Sequence, residues 1–438
     1  MSVHRFLIIL ASLALAACSG SDGGGQGSCS NRGQKIFVRD AMQDWYLWNN
    51  LLPDNIPVRD YDSPEALLAD LTTYSPDDGS GNPIDIFSFI GSAAADAAFF
   101  GQGQFEGFGF GLGANASILQ VFAGSPADLG GLARGQQILE LDGRTVAAIE
   151  AAEGLNAALS VTPLTLLMLE PGGAQLTTTI AHDIVTINPV PQSRVIAAND
   201  GSGRMVGYIE LSTFIGTADP AFDTVFADFI ANGVNDVILD LRYNGGGLVN
   251  TANLLGDYLG GGVPAGDVFS DTRFNADRAL INNSLELFDR LGNSLNVSRF
   301  IVIASSGTAS ASELVINGMA PHVAVTIVGG TTFGKPIGQV GFEFCDKIFR
   351  PTAFQTFNAD GFGDYFGGLP VDCPVADDLT IAVGADADPN MIAAMGYLDT
   401  GLCPVIALPA VASKAQLNEQ AVRPDRRGPP WREYAGAF

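Results

Sequence analysis

Phe300-Ile-Val-Ile-Ala-Ser-Ser-Gly-Thr-Ala-Ser310-Ala-Ser-Glu313 holds a strand, a tight turn and the start of a helix in one short stretch. The run Phe300 to Ala304 is continuously apolar, so it reads as a strand buried on both faces. Gly307 lets the chain turn sharply. A helix opens near Ser310, where free N–H groups and the positive end of the helix dipole gather. The same pattern recurs outward from this stretch. Met205 to Phe214 reads as a strand, Pro220 to Ala231 as a helix, Asp236 to Arg242 as a strand, Leu248 to Leu259 as a helix and Val323 to Val328 as a further strand. Strands that alternate with helices predict an α/β core with a mostly parallel sheet covered on both sides. The stretch from Gly260 to Arg299 reads as an irregular insertion. From Cys345 to about Leu408, a segment with Asp377-Asp378 and a helical run near Met391 to Leu398 reads as an accessory layer closed by cysteines.

Upstream the texture differs. Phe37, Ala41, Trp45, Trp48 and Leu52 recur at helical spacing and stop at Pro53, and a second helix is expected over Ser63 to Leu71. This aromatic stripe reads as core. The acidic loop from Ser75 to Asn82 lacks the spacing and terminal Glu of an EF-hand and reads as a plain loop. Phe105 to Val185 is β-rich. It carries Gly109-Phe110-Gly111-Leu112, then Val121-Phe-Ala-Gly-Ser-Pro-Ala127, then Gly131-Leu-Ala-Arg-Gly-Gln-Gln-Ile-Leu-Glu-Leu-Asp-Gly143. These segments resemble a PDZ domain of the bacterial protease type. A Gly/apolar loop before a strand offers N–H groups to a terminal carboxylate, the strand edge adds the peptide as a further strand, and a pocket takes its last apolar side chain.

At the N-terminus, His4 and Arg5 precede an apolar run, Phe6 to Leu15, that is short for a membrane span and ends in Leu15-Ala16-Ala17-Cys18. This resembles a bacterial lipoprotein signal. The resemblance implies cleavage before Cys18, lipid on its thiol and, since Ser19 is not acidic, attachment to the outer membrane facing the periplasm. Residues Ser19 to Gly27 are a Ser/Gly-rich tether. With Cys18 lipidated, Cys29, Cys345, Cys373 and Cys403 remain, an even number that suggests two disulfides in an oxidising compartment, with three pairings open. Cys345–Cys373 is preferred because the two flank one short segment, which leaves Cys29–Cys403. No CxxC and no neighbouring histidine supports a metal site. The formal charge of −25 excludes a phosphate-backbone footprint, so nucleic acid is not an expected partner. Hydrophobic residues at 47% against 16% charged supply folded cores and argue against disorder. Arg423, Arg426, Arg427 and Arg432 lie among Pro424, Pro429 and Pro430, a solvated tail.

The chain has three histidines, and His182 and His322 stand in no recognisable catalytic motif. A different system is visible. Thr308-Ala-Ser-Ala-Ser-Glu313 is followed by Thr332-Phe-Gly-Lys335-Pro-Ile-Gly-Gln339, and Asp240-Leu-Arg-Tyr-Asn-Gly-Gly-Gly247 precedes both. Together these resemble peptidase family S41, the C-terminal-processing or tail-specific proteases. The resemblance implies Ser310 as nucleophile, Lys335 as general base and Gln339 as the group that orients the lysine. It further implies an oxyanion held by the N–H of Ala311 and of a glycine in Asn244 to Gly247, Gly246 first. The implied fold is a crotonase/ClpP-like α/β sheet with helices, a PDZ domain and a small N-terminal helical domain. The expected divisions are a signal over 1–17, a tether over 18–32, a helical domain over 33–100, a PDZ domain over 105–187, a catalytic core over 190–344 with its C-terminal part over 345–412, and a tail over 413–438. Expected partners are protein or peptide C-termini, captured by Gly109, Phe110, Gly111 and Leu112. The membrane is reached through the lipid, and an envelope adaptor or a second copy is an open partner. No cofactor is called for.

Chemistry agrees with the implied roles. Lys335 must be uncharged to take a proton, and burial beside Phe333 and Ile337 would favour that form. An amide such as Gln339 orients it without adding charge. Glu313 is expected to orient the helix start, and Asp240 and Arg242 to be structural. Gly329-Gly-Thr-Thr-Phe-Gly-Lys335 imitates a P-loop, but Pro336 stands where Ser or Thr would bind magnesium. Two rival readings remain: a non-catalytic relative that binds tails or a hydrophobic ligand, and a different hydrolase on the same sheet. The resemblance also implies a resting form in which the PDZ domain blocks the site.

Overall fold

The structure, a computed structural model, describes residues 28–406, 428–430 and 434. The signal, Cys18 and most of the tether and tail lie outside the described residues. Helix α1 (Asn31–Trp45) is capped by Ser30, whose hydroxyl accepts from Gly33 N at 3.1 Å. Helix α2 (Pro64–Leu71) is capped by Ser63, with proline at its first position. Val38 and Met42 of α1 and Leu67, Leu68 and Leu71 of α2 close a small core with Tyr46, Ile56 and Val58. The helix stops at Trp45, before Pro53; Trp48 and Leu52 pack on the same core from the loop that follows. Strand β1 (Phe89–Ser92) leaves this unit.

The β-rich module contains β2 (Gln104–Gly107), β3 (Phe110–Leu112), β4 (Ile118–Val121), β5 (Gln137–Leu141), helix α3 (Val146–Ala152), β6 (Leu164–Leu169), β7 (Gln175–Ile180) and β8 (Asp183–Thr186). β3 pairs antiparallel with β4, β2 with β8, and β5, β6 and β7 form a meander. Alternate residues of β6, Leu164, Leu166 and Met168, point into a core of their own with Phe108, Phe110, Ile118, Ile138 and Ile149. A separate core is the physical signature of a separate folding unit.

The remaining chain contains β9 (Gln192–Ala197), β10 (Met205–Glu210), α4 (Asp219–Ala231), β11 (Val234–Asp240), α5 (Val249–Leu259), β12 (Val268–Phe274) and β13 (Ser284–Leu287). β14 (Arg299–Ala304), α6 (Ala311–Met319), β15 (Ala324–Gly329), β16 (Ile337–Gln339), β17 (Phe342–Phe344) and β18 (Lys347–Arg350) come next. β19 (Thr352–Phe357), β20 (Cys373–Pro374) and α7 (Pro389–Thr400) complete it. The main sheet has the order β9-β10-β11-β14-β15-β20, parallel except for β9. Its inner strands β10, β11, β14 and β15 are buried along most of their length, as their apolar runs require. Along β14, Phe300, Val302 and Ala304 join the core under α4, α5 and α6, whereas Ile301 and Ile303 join the core under α7.

Three expectations are corrected. The stretch from Gly260 to Arg299 is not irregular: it supplies β12 and β13 to an antiparallel sheet of order β13-β12-β19-β16. The segment after Cys345 is not a separate layer. Its strands enter three sheets, β18 beside β1, β19 beside β12 and β20 at the edge of the main sheet. The disulfides are Cys29–Cys345 and Cys373–Cys403, not the preferred Cys345–Cys373 and Cys29–Cys403. Helix α1 lies on the β17–β18 hairpin, with Phe37 stacked on Phe344 at 4.6 Å, so Cys29 meets Cys345 at the hairpin turn. Helix α7 packs under the main sheet and returns the chain to Cys373, 30 residues upstream of Cys403.

Candidate active site

The turn from β14 into α6 presents Ser310 with φ +57° and ψ −115°. The capping serines Ser30 and Ser63 are extended, as N-caps ordinarily are. A non-glycine residue held in this region is strained by about 1–3 kcal/mol, and such strain gathers at functional turns from strand to helix. The turn is laced to the loop that follows β11. Thr308 Oγ1 donates to Leu241 O at 2.7 Å, Ala309 N to Asn244 O at 3.1 Å and Ser312 Oγ to Asn244 O at 3.0 Å. Asn244 is itself fixed, since its Nδ2 donates to Leu211 O at 2.8 Å.

Ala311 opens α6, so its N–H has no acceptor within the helix. Gly246 has φ +105°, and a Cβ there would come within 2.9 Å of Ser310 Cβ and Ala311 N. Only glycine permits that approach. Its N–H, however, is donated to Asn244 Oδ1 at 2.8 Å. Gly246 therefore adjoins Ser310, but its donor is engaged by a side chain.

Glu313, one turn into α6, is fully buried and accepts four hydrogen bonds. Its Oε2 takes Ser310 N at 2.9 Å and Lys335 N at 2.8 Å; its Oε1 takes Thr332 Oγ1 at 2.5 Å and Gly334 N at 2.7 Å. Burial raises the carboxyl above its ordinary range, against the pull of these donors. One oxygen thus ties the serine turn to the lysine loop, and the two backbone nitrogens can be no farther apart than those two bonds laid end to end. Gly334, at φ +95°, makes the loop's tight passage, where a Cβ would strike Phe366 O.

Lys335 is half-buried, and its Nζ donates to Gln339 Oε1 at 3.3 Å and lies 4.6 Å from the centroid of Phe87. Gln339 Nε2 donates to Phe87 O at 2.6 Å and Arg350 O at 3.4 Å, which turns its oxygen toward the amine. Phe87, Ala309, Phe333 and Ile337 form an apolar cluster around this loop. Phe87 comes from the chain before β1 and carries no motif, so nothing in its neighbourhood of the sequence marks it.

The other candidates lie elsewhere. His182 Nε2 meets Leu159 O at 3.3 Å and His322 Nε2 meets Val268 O at 2.9 Å, so both rings pack beside backbone carbonyls. Asp240 and Arg242 are buried in a network: Arg242 Nη2 lies 2.6 Å from both Asp240 Oδ2 and Asp388 Oδ2, and its Nη1 lies 2.9 Å from Asp377 Oδ1. Phe110 to Leu112 form β3 in the separate module, and Gly109 immediately precedes it. Among the described residues, no three His, Cys, Asp or Glu side chains converge as a metal site. No described helix is long and apolar enough to cross a membrane.

Residues 205–367 match the sequence pattern of Peptidase family S41, and residues 33–89 match that of the Peptidase S41 N-terminal domain. The chain is 29% identical over 254 residues to the chloroplastic C-terminal processing peptidase of Tetradesmus obliquus, covering 54% of this chain and 51% of that one. It is 29% identical over 255 residues to the carboxyl-terminal-processing protease of Synechocystis sp., covering 56% of each. The chain thus spans just over half the length of these relatives. A crystal structure described as an S41 protease from Bacteroides fragilis superposes with a TM-score of 0.63 at 23% identity, over 84% of this chain and 98% of that one. The photosystem II D1 C-terminal processing protease superposes at 0.53 and 21% identity, over 83% and 100%. These structures share the fold: a mixed α/β core with an N-terminal helical unit.

Proposed function

Because the chain belongs to peptidase family S41, we propose that it is a serine endopeptidase acting on unstructured protein or peptide C-terminal tails. Ser310 Oγ is the nucleophile and Lys335 Nζ its general base. As Oγ attacks the scissile carbonyl carbon, the uncharged amine takes the hydroxyl proton and the carbonyl electron pair moves onto oxygen. The ammonium then returns the proton to the departing nitrogen as the C–N bond breaks, which leaves an ester on Ser310. Water attacks that ester, gives its proton to Lys335, and the collapse releases the acid and restores the serine.

The oxyanion is received by the N–H of Ala311, with the dipole of α6 behind it. The second donor belongs to the run Gly245 to Gly247. For Gly246 to serve, its bond to Asn244 Oδ1 must be exchanged for the substrate oxygen. Gln339 orients the amine as a neutral acceptor. A carboxylate in that place would favour the ammonium and oppose proton uptake. Glu313 instead directs its oxygens to backbone N–H groups and the Thr332 hydroxyl.

The observation that carries this reading is the sharing of one buried carboxylate oxygen by the backbones of Ser310 and Lys335. Gly109 to Leu112 of the PDZ-like module would receive the tail and deliver the chain to Ser310. Two disulfides suit an oxidising compartment, and we place the protein in the bacterial envelope, tethered through Cys18. Casein and a tail-bearing peptide test the proposal. Ser310→Ala and Lys335→Met should each reduce hydrolysis by about 10³-fold or more while binding of the tail persists. Hydrolysis that survives Ser310→Ala rejects the nucleophile. A wild-type chain that binds tails without cutting them favours the non-catalytic reading.

A further inference from the structure

β3 is paired on both of its edges. On one side Gly111 stands opposite Gln120 of β4. On the other, Gly111 forms an antiparallel bridge with Tyr434, from the far end of the chain. Tyr434 is only 4% exposed. Its ring stacks on Phe105 at 4.9 Å, meets Phe122 edge-on at 4.9 Å and lies 6.4 Å from Phe99. Upstream, Pro429 is buried and lies against Gly91 of β1, where a Cβ would come within 3.3 Å of its Cγ.

A strand edge offers a row of N–H and C=O groups that takes one added strand at a time. The place a side chain at Gly111 would take is filled by Gln120 of β4, whose atoms lie within 3.2 Å of it, so the pairing with Tyr434 is made by backbone alone at that position. The contact is unlike ordinary tail packing in two respects: it uses backbone pairing at an edge strand, and it buries one aromatic side chain among three others.

We propose that Tyr434 is an intramolecular ligand at the peptide-accepting edge of β3, and that the pocket of Phe99, Phe105 and Phe122 selects an aromatic side chain of whatever peptide replaces it. The proposal rests on the reading of Gly109 to Leu112 as the peptide-binding edge. A tethered segment competes at an effective concentration on the order of millimolar, so a peptide in trans binds only when its own affinity overcomes that of Tyr434 or when the segment is withdrawn.

The test uses the full chain with Ser310→Ala, so that no probe is cut. The probe is a fluorescein-labelled synthetic peptide of residues 428–438, followed by polarisation. Adding Tyr434→Ala to the chain should tighten probe binding at least tenfold, and Tyr434→Phe should leave it weak. A chain ended at Arg427 should match Tyr434→Ala, which covers the case where the substitution alone disturbs folding. A probe with alanine in place of its tyrosine should bind neither chain. Equal probe affinity with and without Tyr434, or no binding to the chain ended at Arg427, overturns the proposal. With Ser310 intact, casein hydrolysis should rise several-fold on Tyr434→Ala. Hydrolysis without any difference in probe binding removes this inference and leaves the peptidase reading. A tenfold binding difference in a chain that never hydrolyses does the reverse.

Discussion

Glu313 stands three positions after Ser310, where its carboxylate reaches back to the cap N–H. The same carboxylate also holds Gly334 and Lys335, on a loop that arrives from the next strand. Glu313→Gln keeps the shape but places an NH2 group against N–H donors that need an acceptor. Leaving buried donors unsatisfied costs about 1–3 kcal/mol each, and a displacement of about 1 Å at the reacting atoms costs about 100-fold in rate. Glu313→Gln should therefore lower kcat about 100-fold with KM nearly unchanged, and lower Tm. A Tm drop with unchanged kcat would show that the carboxylate supports the fold without placing Ser310 and Lys335 for the proposed reaction. The two motifs that carry Ser310 and Lys335 were legible, since residue types and their separation are local features of the chain. The conformation of Ser310, at φ +57°, was not legible; it goes with contacts from a distant loop, where Gly246 adjoins Ser310 and Asn244 O holds Ala309 N and Ser312 Oγ.

At the scale of strands and helices, the alternation from Met205 to Val328 was legible because apolar runs and turn residues are short-range signals. The sheet β13-β12-β19-β16 was not. β12 reads Val268-Phe-Ser-Asp-Thr-Arg-Phe274, with polar residues on a strand whose partner β19 lies far along the chain, and pairing of that kind leaves no periodic mark. The parallel register of β10 and β11 sets Glu210 beside Asp240. Burial, and then the Asp240 charge, push the Glu210 carboxyl up to about 7, with Arg242 and Arg134 pulling the other way. The folded chain thus holds this proton more tightly than the unfolded chain. Its contribution to stability is fully present below the ordinary carboxyl value and is lost as pH rises through about 7. Glu210→Gln cannot ionise, so its Tm should exceed that of the wild type by about 2–4 °C above pH 7, with the difference vanishing below pH 4.5. Thermal melts across pH 4–8 check this, and a difference that grows toward acid would contradict it.

Across the whole molecule, Arg134 joins the β-rich module to the core. Its Nη1 donates to Leu119 O at 2.9 Å within the module, its Nε to Ile381 O at 2.9 Å, and its Nη2 to Asp377 Oδ1 at 2.7 Å. Tyr243, in the loop next to Asn244, shares Asp377. Arg134→Met should lower Tm by about 5 °C and speed limited proteolysis near residues 187–192; an unchanged digestion pattern would mean that other contacts hold the module. What the amino-acid sequence determined alone was the order of units, the α/β alternation, the presence of four bridgeable cysteines in the body and the serine and lysine motifs. Each of these depends on residue type and on spacing over a few turns or strands. What only the tertiary structure decided was which distant groups meet: Cys29 with Cys345, Glu313 with the lysine loop, Phe87 with Lys335 and Tyr434 with Gly111. Those meetings follow from how helices and sheets stack to bury apolar surface, a global compromise among many weak contacts that no single stretch of chain encodes.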